Sequence, residues 1–123
     1  MDRVTVLIID PRTKAAHLKV SADVARSAAE RAKGYQHARA VASGTGLLFV
    51  FPSTARWAFW MKDTPVPLDL VLADADGFVV GKQQLRPLDE TRVVPSRPIR
   101  YALEVARGAA GKVRLGDYVT ISG

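Results

Sequence analysis

The amino-acid sequence predicts a small, mainly β domain, an antiparallel sandwich or barrel with one short helix near residues 28–33. Three observations carry this. Apolar residues recur at every second position in several short stretches, which puts alternate side chains on opposite faces of a strand. Clusters of Pro, Gly and Asp punctuate those stretches as turns. No strand–helix alternation runs along the chain, so a doubly wound parallel sheet is not expected.

The elements follow in order. Val4, Val6 and Ile8 alternate with Thr5, Leu7 and Ile9, a strand partly buried on both faces. Asp10-Pro11-Arg12-Thr13 is a turn, and Leu18, Val20, Ala22 and Val24 make a half-exposed strand that pairs back as a hairpin. Ser27-Ala28-Ala29-Glu30 has the pattern of a capping box, followed by good helix formers up to Gly34. This predicts a helix over 28–33; the period-2 pattern through Val24 argues against a longer one from Asp23. Residues 35–45 read as loop.

Leu47 to Phe51 is an unbroken apolar run closed by Pro52, suited to a buried central strand. If residues 56–61 are extended, Trp57, Phe59 and Met61 point one way and Arg56, Ala58 and Trp60 the other. Lys62 to Pro67 cannot be regular, because Pro65 and Pro67 remove donors and fix φ. Leu68, Leu70 and Leu72 form a strand, Asp74-Ala75-Asp76-Gly77 a hairpin turn, and Phe78–Val80 the return strand. Residues 86–98 read as a proline-rich loop with a short extended piece at Arg92–Val94. Ile99, Tyr101, Leu103 and Val105 give the clearest alternation in the chain, and Tyr118–Ile121 is the last strand.

Composition sets outer bounds. The chain has 123 residues, 48% apolar and 24% charged, enough to fold as one domain over 1–123 without staples. It has no cysteine, which excludes disulfides, thiolate metal sites and a cysteine nucleophile. Its two histidines, His17 and His37, fit no metal-binding spacing, so no metal or cofactor is expected. The apolar run Val4–Ile9 is too short for a signal-peptide core or a membrane span, and a cytoplasmic location is expected. The net charge is +6. Most of the excess lies in residues 81–114, where Lys82, Arg86, Arg92, Arg97, Arg100, Arg107, Lys112 and Arg114 face Asp89, Glu90 and Glu104. That stretch suits an anionic partner, but it holds no run of adjacent cations and no interleaved stacking aromatics, so a solvated basic loop is the preferred reading.

The segment Trp57 to Thr64 is densest in chemistry, with both tryptophans, a charge pair and a hydroxyl. Aromatic faces beside hydrogen-bonding groups suit flat ligands, sugars or cations. Asp69 and Glu104 stand inside otherwise apolar strands, where a carboxylate must find a partner or its pKa rises. No serine-nucleophile elbow, P-loop or dinucleotide fingerprint occurs, and Gly44-Thr45-Gly46 precedes a strand rather than a helix.

Several motifs together resemble the Domain of Unknown Function 192 family. They are Gly46 to Phe51, Phe59-Trp60-Met61-Lys62-Asp63-Thr64-Pro65, Pro67-Leu68-Asp69, Asp76-Gly77, Tyr101-Ala102-Leu103-Glu104, Gly108 and Gly116-Asp117, with Glu30 to Gly34 matching the N-terminal motif. The likeness covers residues 18–121. It implies a small mainly β, jelly-roll-like fold and no known activity, with signature residues at Trp60, Met61, Lys62, Thr64, Asp69 and Glu104. Many members of the family are exported, whereas this chain shows no export signal. It also departs from the pattern at Tyr35-Gln36 (usually Leu-Met), Leu47 (usually Met) and Asp63 (usually Asn).

The expected function is a non-enzymatic accessory domain that binds a small ligand or a protein partner. Its candidate site is Trp60, Lys62, Asp63, Thr64, Asp69 and Glu104. Two alternatives stand beside it: a small hydrolase or lyase using Asp69 or Glu104 as acid or base with Lys62 stabilising charge, and anion or nucleic-acid binding through 81–114.

Overall fold

The computed structural model describes residues 2–123. Seven strands and one helix follow in the order β1 (Arg3–Ile9), β2 (Ala16–Ala25), α1 (Ala28–Lys33), β3 (Thr45–Ala55), β4 (Leu68–Ala73), β5 (Val79–Leu85), β6 (Ile99–Ala106) and β7 (Tyr118–Ser122). All seven strands form a single sheet, in the spatial order β5-β4-β6-β3-β2-β1-β7. The sheet is strongly curled, and its two edges meet at one end. There Val79 N–H donates to Asp117 C=O, Gly116 N–H to Val79 C=O, and Val119 N–H to Gly77 C=O.

The result is a mainly β half-barrel, which corrects two expectations. There is one curled sheet, not two stacked ones, so neither the sandwich nor the jelly-roll form holds. The sheet is also mixed, because β2 and β3 run parallel. A parallel pair needs a crossover, and α1 with residues 34–44 supplies it. The remaining pairings are antiparallel, including the β1–β2 and β4–β5 hairpins.

Each face of the sheet buries its own apolar cluster. On the inner face lie Val6, Ile8, Val20, Ala22, Val24, Leu48, Val71, Leu103 and Val105, closed by Ala110 and Val113 from the loop after β6. On the outer face lie Leu47, Phe49, Phe51, Leu68, Leu70, Leu72 and Ala102, covered by Phe59, Met61 and Val66 from the β3–β4 connection and by residues near α1. With both faces covered, every residue of β4 is buried. The β3 strand runs beyond the apolar run, through Pro52 to Ala55. The register with β6 shifts between Val50 and Ala55, so the missing N–H of Pro52 breaks no ladder bond. Residues 56–61 form no strand, only a bridge between Phe59 and Val93, yet Phe59 and Met61 are buried and Trp60 is exposed, as alternation predicts.

The helix begins as its sequence dictates. Glu30 N–H donates to Ser27 Oγ at 3.0 Å, and Glu30 Oε1 accepts from the Ser27 and Arg26 amides, each at 3.0 Å. A six-residue helix is too short to persist without such help. Ser27→Ala is expected to cost about 1 kcal/mol in urea denaturation; an unchanged midpoint would show that the cap contributes nothing.

Candidate functional site

A cavity of about 210 Å³ opens on the outer face, between α1 with the residues after it and the β3–β4 connection. Its apolar wall is built by strand parity. Phe49 and Phe51 share the outer phase of β3 with Leu47, and Phe59 meets both rings edge-on, with centroids 5.7 and 5.9 Å away. Trp57 stacks on Phe51 at 4.9 Å. Across the β3–β6 ladder Phe49 faces Ala102, a methyl group that fills little of the space beside it. Gly34 turns the chain away from α1 at φ +47, and a Cβ there would stand 3.7 Å from Phe49 and 3.8 Å from Glu104 Oε1.

Glu104 lies at the bottom of this cavity. On β6 it faces Leu47 on one side and Leu70 on the other, which fixes it to the outer face. It is 5% exposed, and among the described residues it makes no hydrogen bond or ion pair. Burial raises its pKa to about 8. At neutral pH the group is therefore mainly a carboxylic acid, able to donate one hydrogen bond. Nearby, Tyr35 is pushed up to about 12, first by burial and then by the charges of Glu104 and Asp23.

Cations surround the mouth. The Arg31 guanidinium lies 5.3 Å from the Phe51 ring centre and 5.8 Å from that of Trp57, and it donates to the Arg26 carbonyl. Lys62 Nζ lies 5.4 Å from the ring of Trp60, which is 43% exposed. Lys33, at the end of α1, is exposed beside them.

The loop carrying Trp60, Lys62 and Thr64 is held by its backbone. Met61 N–H donates to Asp89 C=O at 2.8 Å, Leu88 N–H to Thr64 C=O at 2.9 Å, and His37 N–H to Asp63 C=O at 2.7 Å. Thr64 is buried, and its hydroxyl donates to Lys62 C=O. Asp63 sits at φ +56, a left-handed conformation that Asn and Asp tolerate best. That explains why Asn or Asp stands there: the position serves the turn, and Asp63 does not line the cavity.

Trp60, Lys62, Thr64 and Glu104 are thus brought together, and Asp69 is not. On β4 Asp69 faces Val105, so it points to the inner face, opposite to Glu104. There Asp69 Oδ2 accepts from Gly108 N–H at 2.9 Å and Ala110 N–H at 3.1 Å, while Arg107 Nε lies 3.9 Å from Oδ1. Lys82 grips the same loop, donating to the carbonyls of Ala110, Gly111 and Val113. Together they pin the loop that closes the inner core. A second buried acid, Asp117, accepts through Oδ2 from Arg114 N–H at 2.8 Å and lies 2.6 Å from His17 Nδ1, tying β2 to the start of β7.

The basic stretch is partly engaged as well. Beyond Lys82, Arg100 donates to Phe51 C=O and Arg107 to Leu85 C=O, and Arg86 lies 3.7 Å from Asp89. Among the described residues no three acidic or histidine side chains are grouped to hold a metal, and no helix is long and apolar enough to cross a membrane.

Sequence reasoning missed the aromatic wall as part of the site, along with Arg31, Lys33 and Gly34. The Glu30–Gly34 stretch was a usable signal, since the sequence already singles it out as part of the motif pattern.

Comparison with known proteins agrees with this architecture. No curated protein matches the chain. A crystal structure of a protein of unknown function from Novosphingobium aromaticivorans superposes with a TM-score of 0.89 at 27% identity, covering 96% of this chain and 84% of that one. A putative transcription regulator from Sinorhizobium meliloti gives 0.91 at 26% identity, covering 98% and 94%. The family model described as Uncharacterized ACR, COG1430 matches residues 10–121, so the chain belongs to that family, DUF192.

Proposed function

We propose that the domain binds a small ligand in the outer-face cavity and performs no chemistry on it. The observation that carries this reading is Glu104: a 5%-exposed carboxyl without a partner, aimed into an aromatic hollow. Burying such a group costs the fold stability, and a hydrogen bond from a ligand would relieve that cost. The hydrolase or lyase alternative with Asp69 as acid or base is disfavoured, because Asp69 lies on the face opposite the cavity and is occupied by two amides. Nucleic-acid binding gains from the description of the Sinorhizobium protein, but Lys82, Arg100 and Arg107 are engaged with backbone carbonyls of the domain itself.

The test is a panel of single-ring compounds followed by amide chemical shifts. Ligands of this class are expected to move resonances of residues 31–36, 57–64 and 104, and to raise Tm with concentration. Shifts confined to other surfaces, or none at all, would overturn the reading.

A further inference from the structure

Taking the cavity as a ligand site, its charges and walls go on to specify the ligand. The aromatic surfaces alone would suit a cation, but cations already occupy them. Arg31 covers Phe51 and Trp57, and Lys62 covers Trp60. A cationic ligand entering here would meet Arg31, Lys33 and Lys62, with Glu104 as the one acidic side chain lining the cavity. That arrangement repels cations and attracts anions.

Polarity divides by exposure. Lys33 and Lys62 are exposed and Glu104 is buried, with the rings of Phe49, Phe51 and Phe59 in the same lining. Volume limits the size. A cavity of about 150 Å³ holds a benzene ring, so about 210 Å³ holds one ring with small substituents at either end.

We infer that the cavity takes a flat, single-ring organic acid, its carboxylate at Lys33 and Lys62 and a hydrogen-bonding substituent at the far end against Glu104. The ring lies along the phenylalanine wall. The raised pKa of Glu104 fits this orientation, since the protonated carboxyl donates to a hydroxyl or carbonyl oxygen without setting a second anion against the ligand.

Three probes that share the hydroxyphenyl ring and differ in head-group charge separate the choices: 4-hydroxybenzoate, 4-hydroxybenzamide and 4-hydroxybenzylamine. Binding is read by tryptophan fluorescence and by amide shifts. The benzoate is expected to bind at least tenfold more tightly than the amide, and the amine more weakly than either. Lys33→Gln combined with Lys62→Gln should erase the preference for the acid while leaving amide binding in place. Glu104→Leu should erase the preference of 4-hydroxybenzoate over benzoate. If the amide or amine binds in the cavity as well as the acid does, the acid assignment fails and the ligand site stands. If no probe perturbs the cavity, and the wider panel does not either, both fail together.

Discussion

Asp69→Ala is expected to destabilise the domain by roughly 3–5 kcal/mol without altering the cavity on the opposite face. The carboxylate is 4% exposed and accepts the Gly108 and Ala110 amides through one oxygen. Truncation leaves both donors unpaired and frees the loop that brings Ala110 and Val113 onto the inner core. Gly108, at φ +91, lets the chain turn so that both amides reach that oxygen. Asp69→Asn separates charge from geometry. Its carbonyl can take the place of Oδ2, but its amide group then faces Arg107 where Oδ1 lay. The asparagine variant should lose about 1–2 kcal/mol, well short of the alanine variant. Urea denaturation gives the ordering, and hydrogen exchange at Gly108 and Ala110 should accelerate in the alanine variant first. An alanine variant within 1 kcal/mol of wild type would remove Asp69 from this structural role. Probe binding that weakened in the folded asparagine variant would return Asp69 to the ligand site.

The strands of this fold were legible because their signals are local. Alternation in residues 4–9 and 99–105 and the Asp74–Gly77 turn needed no knowledge of the rest of the chain, and the capping box at Ser27 and Glu30 is complete within four residues. What escaped was non-local. Whether β3 pairs with β2 in parallel depends on where α1 and residues 34–44 deliver the chain, and no periodicity records that. Closure is similar. Three hydrogen bonds between residues 77–79 and 116–119 turn an open sheet into a half-barrel, and they depend on accumulated twist across all seven strands.

The site was half legible for the same reason. Trp60, Lys62 and Thr64 lie together in sequence, so an aromatic and polar segment was enough to find them. Asp69 and Glu104 needed phase. Every residue of β4 is buried, so alternation there could not say which face Asp69 takes. In β6 the apolar phase is Ile99, Tyr101, Leu103 and Val105 up to the strand's end, and Glu104 falls on the other phase, so the sequence left open whether it was buried with a partner or faced outward. The β3–β4 connection and the residues after α1 cover that surface, and a polar position became the buried bottom of a cavity.

The pH dependence of stability should carry the mark of Glu104. Its carboxyl has an ordinary pKa of 4.5 in the unfolded chain and about 8 when folded, so the folded state holds the proton more tightly. Below pH 4.5 both states are protonated and the group imposes no penalty. Between pH 4.5 and 8 unfolding releases the proton, and stability falls by an amount on the order of several kcal/mol before levelling off. The charged groups around it, Arg31, Lys33 and Lys62 at the mouth and Asp23 on β2, form no ion pair with it that would offset the burial. Half-buried carboxyls held low by backbone amides, Asp10, Glu30 and Asp89, act in the other direction: their stabilisation is lost as pH falls through the acid range. The two effects occupy different windows and can be separated. Glu104→Gln keeps the shape and cannot ionise, so it should match wild type near pH 4.5 and exceed it progressively toward pH 8. Equal slopes in the two proteins across that window would show that Glu104 finds a partner or water in solution, and would take with it the unrelieved carboxyl on which the ligand site rests. A ligand that accepts a hydrogen bond from the protonated acid raises the folded pKa further, so in wild type the decline should level off at a higher pH, and the glutamine variant should show no such change.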